Sequence, residues 1–182
     1  EVQRWRSQIG PEAWHYLHHY CAGMAYLQQA RYQSPGSERA RRADAAIPEI
    51  ISFIERTPKS HPLFAQATTD LAWCYKLKGE WDEARQHLQT AMEVQPAHPS
   101  AYTLLSLMYR ESGKPDEAVK VLQKGNDATK GKSAELQYNL GLMMLEGGDL
   151  EAARKYARAA YKLGYPLQGL KQKLTDRGAW TD

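Results

Sequence analysis

The sequence predicts an all-α solenoid of antiparallel helix pairs, and two observations carry that expectation. The hexapeptide Gly-Glu-Trp-Asp-Glu-Ala (79–84) returns as Gly-Lys-Pro-Asp-Glu-Ala (113–118) and again as Gly-Asp-Leu-Glu-Ala-Ala (148–153). Its closing alanines, Ala84, Ala118 and Ala153, are 34 and 35 residues apart, and a fixed period in this range marks stacked repeats. On both sides of each hexapeptide the apolar residues fall at helical spacing.

Along the chain, the first pair is the least regular. Gly23 and Tyr26 belong to one helix, and Ala46, Ile50 and Phe53 to the next, which closes at Pro58. Between them Pro35-Gly36 marks a turn, and Pro48 is expected to kink the second helix or restart it. Three regular pairs follow. Their first helices carry Leu71, Ala72 and Tyr75; Leu105, Ser106 and Tyr109; Leu140, Gly141 and Met144. The small middle residue admits a close neighbour. Their second helices carry Ala84, Leu88 and Ala91; Ala118, Leu122 and Gly125; Ala153, Ala157 and Ala160, one face of mostly small residues. Gly79, Gly113 and Gly148 end the first helices in the left-handed conformation that glycine adopts without steric cost. Pro115 suits a first helical position. At the end, Leu167, Leu170 and Leu174 share the face of a capping helix weakened by Gly169.

This pattern resembles the tetratricopeptide repeat (TPR). Residues 65–98 match it best, through Leu71, Ala72, Tyr75, Gly79, Trp81, Ala84, Leu88, Ala91 and Pro96. In residues 99–132, Lys130 stands at the closing proline. Residues 134–167 have Tyr165 there and one extra residue in the preceding loop. Residues 12–58 form a divergent first repeat and 166–178 a cap, as terminal repeats require. The resemblance implies one right-handed TPR-like solenoid domain over residues 1–182.

Composition narrows the functions. Hydrophobic residues at 42% and charged residues at 25% are ordinary for a soluble fold. The net charge of +3 is too small to argue for nucleic acid. Arg154, Arg158 and Lys162, together with Arg39, Arg41 and Arg42, read as a solvated outer face. No run approaches the roughly 18 apolar residues of a membrane span. Cys21 and Cys74 form no CxxC and are expected in the core. His15 and His19, four apart and beside His18, are weak metal candidates without a third ligand in sequence. The chain has no glycine-rich phosphate loop, no CxxCH and no nucleophile motif. It reads as non-catalytic, with no cofactor.

As the resemblance implies, TPR proteins are mainly adaptors, so a scaffold that binds a peptide or helix in its concave groove is expected. One alternative is a structural subunit self-assembling through its repeat ends; another is a metal-binding protein centred on the first helix. The groove should be lined by three rows: Thr69, Thr103 and Tyr138; Trp73, Leu107 and Leu142; Lys76, Arg110 and Leu145. Trp73 is the expected anchor, since Leu71, Ala72 and Tyr75 already fill the buried face; the alternative is that it covers the apolar floor of the superhelix or packs on Tyr20 or Met24. The partner should present an apolar stripe and at least one acidic residue, and the chain should be a monomer or weak homo-oligomer. The His-His-Tyr-Cys-Ala-Gly helix (18–23) resembles the start of small bacterial TPR proteins that are often exported, so a cell-envelope location is expected over the cytoplasm.

Some TPR proteins hold a chaperone's C-terminal carboxylate with Lys, Arg and Asn. The corresponding places here hold Thr69, Trp73, Leu104, Glu135 and Asn139, of which Asn139 alone is of the right type. A peptide ending Glu-Glu-Val-Asp should not bind in calorimetric titration, and micromolar affinity would overturn that expectation.

Overall fold

The computed structural model describes residues 9–180. The chain divides into two compact units, Glu1–Gln95 and Pro96–Asp182. Among the described residues both are built from helices alone.

The first unit contains α1 (Pro11–Tyr32), α2 (Ser37–Glu55), α3 (Phe64–Lys78) and α4 (Trp81–Val94). Pro11 opens α1, where its missing N–H is no loss. Helices α1 and α2 pack closely: a Cβ on Gly23 would lie 2.6 Å from Ile50 Cγ1. Leu27, Ala43, Ala46, Ile50 and Phe53 are fully buried there. Pro48 neither ends α2 nor restarts it; the helix is unbroken from Ser37 to Glu55, with Pro48 exposed. Lys78 ties the α3–α4 turn to α2, with Asp44 at 2.7 Å and Glu80 at 2.8 Å. These two carboxylates raise its pKa. Buried Asp70 accepts from the Tyr20 hydroxyl at 2.7 Å and from Gln66 at 3.0 Å. Burial, with Asp70 beside it, raises the Tyr20 pKa.

The two cysteines part company. Cys74 is fully buried, and burial pushes its thiol up to about 12. Cys21 is exposed, which corrects the expectation of two core thiols. Tyr20, Gly23 and Leu27 take the inward side of α1, and residue 21 falls between those positions on the outer side.

The second unit contains α5 (Pro99–Glu111), α6 (Pro115–Ala128), α7 (Ala134–Glu146), α8 (Leu150–Lys162) and α9 (Gly169–Asp176). Pro99 and Pro115 open α5 and α6. Ser133 and Asp149 cap α7 and α8 through their side chains, each satisfying a backbone N–H of the first turn. Gly113 and Gly148, like Gly79 in the first unit, are left-handed, with φ of 71°, 85° and 87°. The longer α6–α7 loop uses two left-handed residues in succession, Lys130 and Gly131. Gln137 braces it by donating to Asn126 Oδ1 and Gly131 O. The small-residue faces of α6 and α8 are buried throughout: Ala118, Leu122 and Gly125; Ala153, Ala157 and Ala160.

Helix α9 covers the end of this unit by burying Leu170 and Leu174 in a cluster with Leu145, Ala153, Ala157 and Ala160. Leu167 does not share that face. It lies before the helix, just after Pro166, and is 58% exposed. Two leucines one turn apart are enough to close the end.

Candidate functional site

In the second unit, α5 and α7 lie side by side and tilt their inner faces toward a cleft of about 90 Å³. From α5 come Thr103, Leu107 and Arg110, at i, i+4 and i+7; from α7 come Asn139, Leu142 and Met143. These spacings put each set on one side of its helix. Leu122 of α6 closes the floor from beneath. Four residues expected from sequence, Thr103, Leu107, Arg110 and Leu142, therefore meet in one place.

Two polar links hold the rim. Ser100 lies 3.3 Å from the Glu135 carboxylate at one end, and Arg110 lies 3.3 Å from Glu146 at the other. The second pair is exposed on both sides, so it is worth about 1 kcal/mol at most. The Asn139 amide donates to Glu135 O at 2.8 Å. The Thr103 hydroxyl oxygen is buried and has no hydrogen-bond partner among the described residues. A buried polar atom left this way costs about 1–3 kcal/mol. The cleft thus offers an apolar floor and one cation at an edge.

The expected residues of the first unit are arranged differently. Thr69 is fully buried, and its hydroxyl donates to Ala65 O at 2.8 Å. It presents no surface to a partner, which corrects its assignment to the groove. Trp73 is half-buried and packs against the apolar cluster of its unit. The Arg31 guanidinium lies 4.4 Å from its ring centre and the Lys76 ammonium 5.4 Å. Both fall within cation–π range. Arg31 was not foreseen, because its position at the end of α1 is remote in sequence from Trp73.

Two further positions need correction. Tyr138 is only 8% exposed and stacks on Tyr165 at 4.2 Å, because the chain after α8 folds back over it. Leu145 is 2% exposed, inside the cluster closed by α9. Both belong to the end of the second unit and not to an open groove. Asn139 and Met143 line the cleft instead, one turn and one residue from Leu142.

In α1, His19 Nδ1 sits 2.6 Å from Glu49 Oε2, and His18 Nδ1 sits 2.8 Å from His15 O. His15 packs edge-on against Tyr16. Among the described residues no group of three His, Cys, Asp or Glu side chains is placed to hold a metal ion.

Two sequence profiles, both described as tetratricopeptide repeat, match residues 65–129 and residues 38–91 with 126–164. The solved structure of Pseudomonas aeruginosa PilF is 19% identical, with a TM-score of 0.60 over 85% of this chain and 67% of its own. A structure of MamA is 19% identical, with a TM-score of 0.51 over 87% of this chain and 90% of its own. A second MamA structure is 21% identical, with a TM-score of 0.50 over 69% of each chain. At these identities the likeness concerns the fold. No curated protein matches the chain.

Proposed function

The chain belongs to the tetratricopeptide repeat family, and we propose that it is a non-catalytic scaffold whose α5–α7 cleft holds a segment of another protein. Repeats of this family serve protein interaction, and the cleft carries no acid–base or nucleophilic group arranged for chemistry. The observation that supports the reading most is the meeting of Thr103, Leu107, Arg110 and Leu142 around one apolar floor. The repeats that build it are taken as residues 99–132 and 134–167, preceded by 12–58 and 65–98 and closed by 166–178.

The partner segment should place an apolar side chain against Leu107 and Leu142. An acidic group should meet Arg110, competing with Glu146 for the guanidinium. In the first unit, taken by itself, Arg31 and Lys76 beside Trp73 would favour an acidic group there.

The test begins with affinity capture from the native organism and mass spectrometry, followed by calorimetric titration of the recovered segment. Leu107→Asp should weaken binding at least tenfold, about 1.4 kcal/mol, with the helical spectrum unchanged. Arg110→Glu should weaken it more at low salt than at high salt, because an exposed charge pair is screened. Full affinity in both variants would remove the cleft from the binding site.

A further inference from the structure

We propose that the edge cleft between α6 and α7 accepts the α8–α9 loop of a second copy of the chain. This cleft adjoins the α5–α7 surface, sharing Met143 with it, and is larger, about 530 Å³. Val119 of α6 and Met143 and Met144 of α7 give it an apolar lining. Methionine suits such a role because its unbranched side chain adapts to what enters. Asp116, Glu146 and Asp149 form the rim. Asp149 also caps α8, and Glu146 also meets Arg110, but all three residues are exposed. The one cation at the rim, Lys120, is already paired with Glu117 at 2.7 Å.

The complementary surface lies on the same unit. Leu163 is 43% exposed and Leu167 is 58% exposed, on one short loop. Exposed Lys162 directly precedes them at the end of α8, and exposed Lys173 follows on α9. The loop is held in shape: Gly164 is left-handed, Tyr165 N donates to Ala160 O at 3.0 Å, and the Tyr165 ring stacks on Tyr138. Two exposed leucines on a loop held in shape, with Lys162 adjoining, face little ordering cost on docking. A methionine-lined cleft with a carboxylate rim matches it in polarity and in charge.

A molecule cannot fill its own cleft. Asp149 stands at the start of α8 and the leucine loop at its end, so 13 residues of helix separate them, roughly 20 Å at 1.5 Å per residue. The contact therefore joins unlike surfaces on different copies, which propagates into chains or closes into rings. Helix α9 already covers the end of the unit, so this association runs along the helix-turn edge and not through repeat ends. It shares Met143 with the partner cleft proposed above but does not rest on a partner segment being bound there.

Sedimentation velocity of the whole chain tests it. The weight-average coefficient should rise between about 10 µM and 1 mM, as a weak contact requires. Leu167→Ser removes the inserting side chain from an exposed site, and Val119→Lys places a cation in the cleft. Each variant should remain monomeric over that range, with an unchanged circular dichroism spectrum. Mixed in equal amounts, the two should form dimers and nothing larger, because only one good cleft and one good loop remain per pair. A wild type that stays monomeric at 1 mM overturns the proposal, as it would if another basic segment were the occupant. Association that survives Leu167→Ser overturns it too, as does a mixture that stays monomeric.

Discussion

Replacing Gly141 by leucine should destabilise the second unit by about 3 kcal/mol, the upper part of the range for forcing extra atoms into a packed core. A Cβ at this position would lie 2.6 Å from Leu170 Cδ2, 3.3 Å from Ala153 O and 3.4 Å from Ala157 N. Helices α7, α8 and α9 all meet there. Leu170 is fully buried, so its side chain can yield only by repacking its cluster, and the other two atoms are backbone. A leucine must therefore separate α7 from α8 or displace the cap. Thermal unfolding should report a fall of roughly 6–12 °C. Gly147→Ala is the control: its backbone is right-handed, and its nearest heavy atom to an added Cβ is 3.5 Å away. It should shift the midpoint little. Equal losses in the two variants would mean that the close approach at Gly141 is not what holds the helices together. Gly125→Leu offers an independent check in the same unit, since its Cβ would lie 2.6 Å from Tyr102 Cγ.

The close approach at Gly141 was legible in the sequence because small residues at fixed spacing can mean little else. Ala84, Leu88 and Ala91 and their counterparts are buried on one face, as their periodicity implies. Gly79, Gly113 and Gly148 occupy the left-handed positions their place after each helix suggests. What periodicity could not do was separate groove from core. A helix with neighbours on several sides has no single buried face, and α3 is the example. Residues Ala67 through Ala72 of α3 are all buried, so one step from the packing pattern leads to more packing. Thr69 tolerates this because its hydroxyl is satisfied within its own helix. Tyr138 and Leu145 failed for another reason: the residues that cover them lie beyond α8, and the repeat pattern is silent there. Leu107, Arg110 and Leu142 line a cleft because α5 and α7 keep one side open there.

Trp73→Ala should produce two losses, and their separation decides what the first unit does. Read from sequence alone, Trp73 is either an exposed anchor whose removal leaves the melting temperature nearly unchanged or a cover for the apolar floor. The structure withdraws that part: the ring is half-buried against its unit's cluster, with Arg31 over it at 4.4 Å. Removing a partly buried aromatic side chain forfeits both transfer free energy and contacts, so a stability loss of about 2 kcal/mol is expected. A double-mutant cycle with Arg31→Ala should return a coupling of about 0.5–1 kcal/mol, as an exposed cation–π contact does. The second loss is in binding. If the ring edge and its two cations form part of the partner surface, Trp73→Ala should weaken affinity by about 2 kcal/mol for each folded molecule. Titration well below the midpoint of unfolding keeps the two effects apart. Trp73→Phe sharpens the comparison, since a smaller ring keeps most of the packing while surrendering the indole N–H and the best cation–π face. A stability loss with unchanged affinity per folded molecule would make Trp73 a cover for its own cluster. The partner would then rest on the cleft of Leu107, Arg110 and Leu142 alone.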